Sequence, residues 1–520
     1  MTRLAESAEV LIVLSFLYPA TYLLQRNSHL YQSAQLELTF AFVALVAVAV
    51  ALAVSRLLRR LPMRARRAAM TALGTGIVLT LLYSSIGGFI NDRAVLVCGY
   101  LLTITLGGVI GYLRGTGVHV VALAVLVLIN GAVAVVHAVD EAADGGSAGQ
   151  QQSTRVFFRQ KPNVYLLVLE SYNSLDVRRE VYGIDNAPLL RALQAHGLTI
   201  HDHVYANYWA TLFSLSAVFS MRQHYYANSV DIADGGHHRK VIGGILDNKV
   251  LDTFVSNGYA IDYSQFNPAL YHPGPQLDRY EPQPLLQPME LFSGLYSAVY
   301  RLTSWDMWHS PAFQRLLVMP NALFARGAGR GAPLGAGRPV FTVIYTGAEH
   351  TGSDNAIDDV WIPKYRRLVA KADRALIELL DDLYRRDPNA LIVLLGDHGA
   401  WRTRDRWMGE SDDPNVNLRT HGASAVDATR DLFEVLLAVK WPEGTMPPGT
   451  LSPVNLFRAV FAALANGAES GEPGASNDSF AYVLQSNAMT ATPHIYRTVE
   501  DGRALERWEA FQPPAAVATR

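Results

Sequence analysis

The chain has 520 residues, of which 50% are apolar and 17% are charged, and its formal net charge is −2. This near-neutral balance gives no electrostatic footprint for nucleic acid, so we expect no nucleic-acid partner. The single cysteine, Cys98, excludes an intramolecular disulfide. The apolar excess is concentrated in the first 140 residues, whereas the remainder has the composition of an ordinary globular protein.

Five apolar stretches in the N-terminal part predict transmembrane helices, because each approaches the ~20 residues that an α-helix needs to cross a bilayer. The predicted spans are 8–24, 38–55, 69–90, 94–113 and 117–139. The loop after the second span is rich in arginine and almost free of acid, with Arg56, Arg59, Arg60, Arg64, Arg66 and Arg67. By the positive-inside rule this loop is cytoplasmic, and an odd number of spans then delivers the rest of the chain to the outer side. We therefore predict a five-helix membrane anchor over 1–139.

A polar segment rich in Gly, Ser and Gln follows at 140–162 and is typical of a linker. Residues 163–520 then alternate short apolar runs with longer amphipathic stretches, of which 364–384 has helical spacing. Four runs have the length and continuity of strands that are buried on both faces of a sheet, namely 164–169, 340–345, 391–395 and 436–439. The pattern predicts an α/β domain with a mostly parallel central sheet.

Side chains able to bind a metal follow three of these strands. Glu170 ends the first run, His350 lies beyond the second, and Asp397 and His398 follow the third. Ligand sites in open α/β sheets form outside the carboxyl ends of the strands, and charge placed directly after a buried strand is costly unless it is compensated. Oxygen and imidazole ligands from separate strands therefore predict a site for a divalent cation such as zinc or manganese. The alternative is that the acids only cap the following helices.

A hydroxyl nucleophile is also expected beside the metal. The segment 205–220 offers Thr211, Ser214 and Ser216 in a polar and aromatic turn that enters a helix. Metal coordination lowers the pKa of such a hydroxyl, and a helix N-terminus next to it helps to hold phosphate oxygens. Residue type alone does not select among the three hydroxyls.

The whole layout resembles the membrane-bound branch of the alkaline phosphatase superfamily, in particular phosphoethanolamine transferases that modify lipid A and, more distantly, lipoteichoic acid synthases. In that family a strand-end Glu binds metal and a downstream Thr is the nucleophile. Here Thr211 follows Glu170 by 41 residues and opens a stretch that ends in Phe-Ser, as in the family. The resemblance thus implies that Thr211 is the nucleophile and that it binds the metal together with Glu170, Asp397 and His398.

Two further histidines and several departures complete the comparison with the family pattern. By resemblance, His350 and His421 lie near the phosphate and bind the substrate. The Asp-His-Gly-Glu motif of the family corresponds to residues 397–400, with Ala400 in place of the Glu. The paired-histidine segment is reduced to one His, and the cysteines that form disulfides in many of the transferases are missing. The metal and threonine machinery is therefore implied, whereas the identity of the transferred group is left open.

The resemblance implies a multi-pass enzyme of the bacterial inner membrane with its catalytic domain in the periplasm. The expected reaction transfers a phospho-head group, by resemblance phosphoethanolamine, from a membrane phospholipid through a threonine intermediate to lipid A, a glycan or another envelope acceptor. The expected cofactor is a divalent metal, zinc, with manganese or magnesium as alternatives.

Phosphoglycerol transfer, phosphodiester hydrolysis and a catalytically silent envelope protein are the other candidate functions. Sulfate-ester hydrolysis is not expected, because a Cys or Ser followed by the Pro and Arg of the sulfatase motif is missing near Thr211.

Overall fold

The structure of the protein is a computed structural model. It describes residues 8–26, 33–82, 93–144, 156–224, 249–265, 337–347, 358–407, 411, 413–445, 451–467, 474–483 and 494–512. These residues fall into two compact units, 8–144 and 156–512.

The N-terminal unit is helical in its described part. Its helices are α1 (Ala8–Arg26), α2 (Ser33–Leu57), α3 (Met63–Leu81), α4 (Arg93–Arg114) and α5 (Gly117–Asp144), with a 3-10 turn at Leu58–Arg60. Four of the predicted spans, 8–24, 38–55, 94–113 and 117–139, lie within these helices, and the predicted linker begins inside α5.

Only part of the five-span prediction is supported by helix length and hydropathy. Within the described residues, two helices are long and apolar enough to cross a membrane, over Phe40–Arg60 and Val97–Arg114. The apolar stretches at the ends of the unit are shorter, at Glu9–Tyr22 and Gly117–Val133. The third predicted span was 69–90, whereas α3 begins earlier, in the arginine-rich segment. Residues 83–92 lie outside the described residues.

Helices α3 and α4 approach each other through small residues. A side chain at Gly107 would collide with Thr75, and one at Gly111 would collide with Thr71. Glycine at these positions lets the two backbones come close, which adds packing contacts between the helices.

The second unit is built around a six-stranded sheet in its described part. The strands are β1 (Val164–Glu170), β2 (Thr199–His201), β3 (Ala260–Gln265), β4 (Val340–Gly347), β5 (Leu391–Gly396) and β6 (Leu437–Lys440), in the order β2-β6-β5-β1-β4-β3. Strands β3, β4, β1 and β5 are parallel, whereas β6 and β2 are antiparallel to their neighbours. The predicted α/β domain with a mostly parallel sheet is confirmed, although the run at 436–439 forms an antiparallel strand.

Helices cover the sheet. They are α6 (Leu175–Glu180), α7 (Ala187–Ala195), α8 (Thr211–Ser220), α9 (Lys249–Ser256), α10 (Asp358–Arg386), α11 (Arg404–Trp407), α12 (Pro414–Thr420), α13 (Ala425–Phe433) and α14 (Leu456–Leu464). The predicted helix at 364–384 is α10, whose Leu376 and Leu380 pack with Leu167 of β1 and Leu394 of β5. Both central strands are buried along their length, which explains why their sequences are continuously apolar.

A separate antiparallel sheet closes the chain, with β7 (Ser479–Val483), β8 (His494–Glu500) and β9 (Arg503–Phe511) in sequential order. Asp501 and Gly502 form the β8–β9 turn, and both have positive φ, 46° and 77°. Trp508 of β9 is buried against Trp407, so this sheet packs on the helices beside the main sheet. This sheet was not expected from the sequence.

Candidate metal centre

The candidate site lies at the carboxyl edge of the sheet, where β1 and β5 end side by side. Leu169 is in register with Gly396, so Glu170 and Asp397 leave adjacent parallel strands at the same level. Glu170 is 8% exposed, and Asp397 and His398 are fully buried. Two buried acids beside a buried imidazole would repel each other and lose hydration, so this arrangement requires a compensating positive charge.

The ligand atoms of the cluster lie close together. One ligand atom each from Glu170, Asp397 and His398 lies within 4.8 Å of the others. Nε2 of His398 is 3.5 Å from Oε1 of Glu170 and 3.6 Å from Oδ2 of Asp397, and it is 3.1 Å from Oγ1 of Thr211. Metal–ligand bonds of about 2.0–2.1 Å give a tetrahedron with edges of about 3.3–3.4 Å, close to the three distances from Nε2, so Glu170, Asp397 and His398 fit a divalent cation by ligand type.

The orientation of His398 leaves its Nε2 atom available as a metal ligand. Its Nδ1 is 2.8 Å from the carbonyl oxygen of Gly399, which can only accept a hydrogen bond, so Nδ1 carries a proton. Burial lowers the pKa of His398, but the neighbouring Asp397 and Glu170 carboxylates more than offset it and raise the pKa to about 9. The carboxylates thus favour a positive charge at Nε2, which a proton or a bound cation would supply.

Backbone donors fix the Asp397 carboxylate. Its Oδ1 accepts hydrogen bonds from the backbone N–H of Ser171 at 3.1 Å and of His398 at 2.8 Å. Ser171 has a left-handed backbone with φ of 54°, and its carbonyl accepts a hydrogen bond from the buried Tyr365 hydroxyl at 2.9 Å. Left-handed serine is disfavoured by about 1–2 kcal/mol, so the surrounding contacts must hold it in place.

Glycine is required next to the Asp-His pair. A side chain on Gly399 would collide with the backbone carbonyl of Asp431, and one on Gly396 would collide with that of Tyr172. The following residue, Ala400, is 4% exposed and packs in an apolar cluster with Tyr182 and Tyr365.

Thr211 is the first residue of α8, and its hydroxyl faces His398. The residue before it, Ala210, gives no side-chain cap, so the first-turn N–H groups of this helix remain suited to an anion. Ser214 and Ser216 lie further along α8 and are 1% and 0% exposed. Of these three hydroxyls, the one from Thr211 is brought to the cluster, and the two serine side chains are enclosed by the core.

A tryptophan and arginine cluster borders the site and was not anticipated. The Trp401 ring stacks on the His398 ring, with centroids 4.8 Å apart and planes 12° apart. The indole N–H of Trp401 donates to the carbonyl of Trp209 at 2.7 Å. The Arg404 guanidinium carbon lies 4.8 Å from the Trp401 ring centroid and 5.5 Å from that of Trp209. The available signal was the segment 401–407, which places two tryptophans and three arginines directly after the Asp-His motif.

Of the two histidines predicted to bind the substrate, His421 belongs to the residues that the structure describes. His350 lies outside the described residues. His421 caps the C-terminus of α12, is exposed, and has its Nδ1 2.8 Å from the carbonyl of Asn417. Its role in substrate binding therefore stays a prediction.

A mostly parallel sheet whose carboxyl edge unites two carboxylates, an imidazole and a hydroxyl is the architecture of the alkaline phosphatase superfamily. The chain belongs to the sulfatase family, whose model matches residues 162–465. Members of this superfamily are enzymes, transferases as well as hydrolases, and bind divalent metal. None of the curated proteins compared with the chain matches it in sequence.

Several solved structures are similar to the chain at low identity. The zinc complex of the periplasmic domain of EcEptC from Escherichia coli is 12% identical over 64% of this chain and 92% of that domain, with a TM-score of 0.37. The integral membrane lipooligosaccharide phosphoethanolamine transferase A of Neisseria meningitidis is 12% identical over 90% of this chain and 97% of its own, with a TM-score of 0.34. The phosphonate monoester hydrolase of Agrobacterium radiobacter is 13% identical over 65% of this chain and 85% of its own, with a TM-score of 0.37.

Proposed function

We propose that the protein transfers a phospho-head group from a membrane phospholipid to an envelope acceptor, with Thr211 as the transient carrier. The observation that carries this proposal is the contact between Oγ1 of Thr211 and Nε2 of His398, at 3.1 Å, beside Glu170 and Asp397. A hydroxyl at the N-terminus of a helix and next to a cation site has both the activation and the anion-binding donors that attack on phosphorus needs.

The chemistry proceeds in two displacements at phosphorus. Glu170, Asp397 and His398 hold the divalent metal, which when bound lowers the pKa of the Thr211 hydroxyl and offsets charge on the phosphoryl oxygens. Oγ1 of Thr211 attacks the phosphorus, the bond to the diacylglycerol oxygen breaks, and diacylglycerol leaves with the proton lost from Thr211. The acceptor hydroxyl then attacks the phosphothreonine, and its proton restores the threonine hydroxyl. The first-turn N–H groups of α8 orient the phosphoryl oxygens in both steps.

We further propose the substrate class and the compartment. The metal is zinc, the head group is phosphoethanolamine, and the acceptor is lipid A or another envelope lipid or glycan. The apolar helices over Phe40–Arg60 and Val97–Arg114 support an anchor in the inner membrane, and the basic loop at its cytoplasmic side supports a periplasmic catalytic unit. An anchored site meets a lipid donor already oriented in the bilayer, which reduces the entropy that a soluble enzyme would lose on binding. His350 and His421 bind the substrate in this scheme.

The test is to replace the proposed nucleophile and to look for its adduct. Thr211→Ala removes the attacking oxygen, so we expect transfer to fall to background while zinc content and the melting temperature stay near those of the wild type. Thr211→Ser keeps a hydroxyl and should retain part of the activity. Ser214→Ala is the matched control, because it removes a hydroxyl from the same helix away from the metal cluster. Transfer is measured as mass-shifted envelope lipid after incubation with defined phospholipids.

Intact mass and peptide mapping of the wild-type protein, incubated with donor but without acceptor, should place a phospho-substituent on Thr211. The added mass distinguishes phosphoethanolamine from phosphoglycerol. Release of the head group into water at the rate of transfer would instead identify a phosphodiester hydrolase. Wild-type turnover in Thr211→Ala would show that the nucleophile is another residue.

A further inference from the structure

The described helices of the N-terminal unit bring basic side chains together at one end. The turn between α2 and α3 and the end of α4 carry exposed arginines, namely Arg56, Arg59, Arg60, Arg64 and Arg114. The end of α4 lies next to the start of α3, because Gly115 adjoins the guanidinium of Arg67. Glu9 is the acidic residue among those described at this end, and it is paired with Arg66 at 2.5 Å. The five exposed arginines therefore form a cationic surface, which we call the arginine rim.

Large apolar side chains are exposed between these arginines. Leu57 is 79% exposed, Met63 is 62% exposed and Leu113 is 73% exposed. A surface that alternates arginine with exposed Leu and Met is costly in water. It suits the interface of a bilayer, where apolar side chains reach the acyl chains and guanidinium groups reach the phosphates. Two helices that are long and apolar enough to cross a membrane, Phe40–Arg60 and Val97–Arg114, both end at this rim. The rim therefore fits the headgroup layer of a membrane rather than a soluble polyanion.

An apolar groove of about 210 Å³ lies along α1 and α2 and leads to the rim. Apolar residues of both helices line it, namely Val10, Val13, Leu14, Val48, Ala51 and Leu52. Val48, Leu52 and Arg56 recur at intervals of one helical turn and share one face of α2, so Arg56 lies at the mouth of the groove. The Glu9 carboxylate, which accepts hydrogen bonds from Ser55 and Arg66, marks the same end. An acyl chain fits this groove when the anionic group that it carries lies at Arg56.

We infer that the groove and the arginine rim bind an anionic diacyl phospholipid, with one acyl chain between α1 and α2 and the phosphate at Arg56 and the arginines of the following turn. Each basic residue near a membrane surface strengthens the attraction of anionic lipid about fivefold. A zwitterionic phospholipid offsets its phosphate with an ammonium group, which the rim repels. By the predicted topology the bound lipid belongs to the cytoplasmic leaflet, so it is distinct from the proposed donor. The inference rests on the proposed membrane anchor and is independent of the chemistry at Thr211.

The test measures lipid binding to the full-length protein in detergent by native mass spectrometry. Phosphatidylglycerol and phosphatidylcholine with identical acyl chains are titrated separately, so that the two probes differ in the headgroup alone. We expect phosphatidylglycerol to bind about tenfold more tightly or better, and we expect this preference to fall when salt screens the arginines. Replacing Arg56, Arg59 and Arg60 together with Gln should weaken phosphatidylglycerol binding about a hundredfold, at about fivefold for each arginine.

The matched control removes the same charge from the second unit. Arg367, Arg374 and Arg385 are exposed on α10, and replacing all three with Gln should leave the lipid titration unchanged. Val13→Trp tests the groove without changing any charge. It fills the space between α1 and α2, so binding of both lipids should weaken while the preference for phosphatidylglycerol persists. Thermal unfolding in the same detergent shows that each variant is folded.

Equal affinity for the two headgroups overturns the inference, as does unchanged phosphatidylglycerol binding in the folded arginine variant. If the arginine variant does not purify, Val13→Trp decides, and unchanged lipid binding in that variant overturns the inference. A protein dimer that dissociates in Val13→Trp, without loss of bound lipid, would assign the groove to a second copy of the chain and also overturn it. Failure of the proposed transfer is read separately, as wild-type turnover by Thr211→Ala, and does not alter the lipid titration.

Discussion

Replacement of Tyr365 by Phe tests whether the left-handed backbone at Ser171 positions the metal ligands. Tyr365 is 1% exposed, and its hydroxyl donates to the carbonyl of Ser171 at 2.9 Å. Burial raises the pKa of this hydroxyl, so it remains a donor at all pH values of interest. Loss of a buried hydrogen bond costs about 1–3 kcal/mol. The left-handed conformation of Ser171 is disfavoured by about 1–2 kcal/mol, so this hydrogen bond is strong enough to maintain it.

When Ser171 leaves its left-handed conformation, the preceding residue Glu170 moves. The backbone N–H of Ser171, which donates to the Asp397 carboxylate, moves as well. Removing a supporting contact of a ligand in this way lowers metal affinity about ten- to hundredfold, or about 1.4–2.7 kcal/mol. We therefore expect Tyr365→Phe to release zinc at a chelator concentration that is lower than for the wild type by the same factor. We also expect a lower melting temperature. The readout is a competition titration with a chromogenic chelator, followed by thermal unfolding of the metal-free protein.

Tyr259→Phe is the matched control for the loss of stability. Tyr259 is buried, and its hydroxyl donates to the carbonyl of Pro162 at 2.8 Å, at the end of the sheet opposite the site. It should lose a similar free energy of unfolding and keep the zinc affinity of the wild type. Equal zinc affinity in the Tyr365 variant and the wild type would refute the role assigned to Ser171.

Three further outcomes are expected. Asp397→Ala and His398→Ala should each purify without stoichiometric metal, as measured by elemental analysis, and full occupancy in both would mean that the site lies elsewhere. In the chelator-treated protein, burial lowers the pKa of His398 but its neighbouring carboxylates raise it to about 9, against an ordinary value of 6.5. The protonated imidazole therefore stabilises the fold below pH 6.5, and the melting temperature should fall as the pH rises through about 9, a fall that His398→Asn abolishes. A reporter fused after Gln150 should be active only if it works in the periplasm, and a cytoplasmic readout would contradict the predicted topology.

The parallel sheet could be predicted because strands that are buried on both faces have continuously apolar sequences. Strands β1 and β5 are continuously apolar, and no charged residue interrupts either before its end. The C-terminal sheet has weaker signals, because β8 and β9 are partly exposed and β9 carries charged residues along its length. One signal was available: Asp501-Gly502 is a dipeptide that favours a tight hairpin, since both residues take positive φ there.

The candidate metal ligands could be predicted from the sequence, but the residues packed around them could not. Glu170 and Asp397 follow directly from strand ends, so register alone brings them together. Trp401 and Arg404 depend on a left-handed backbone after the Asp-His motif, and no residue type in that segment predicts such a turn. The positions of ligands at strand ends follow from the topology of the sheet. The positions of Trp401 and Arg404 depend instead on the backbone conformation of a single residue. The candidate ligands can therefore be predicted from the ends of the strands, whereas the conformation of residues 401–404 cannot be predicted from pattern or periodicity.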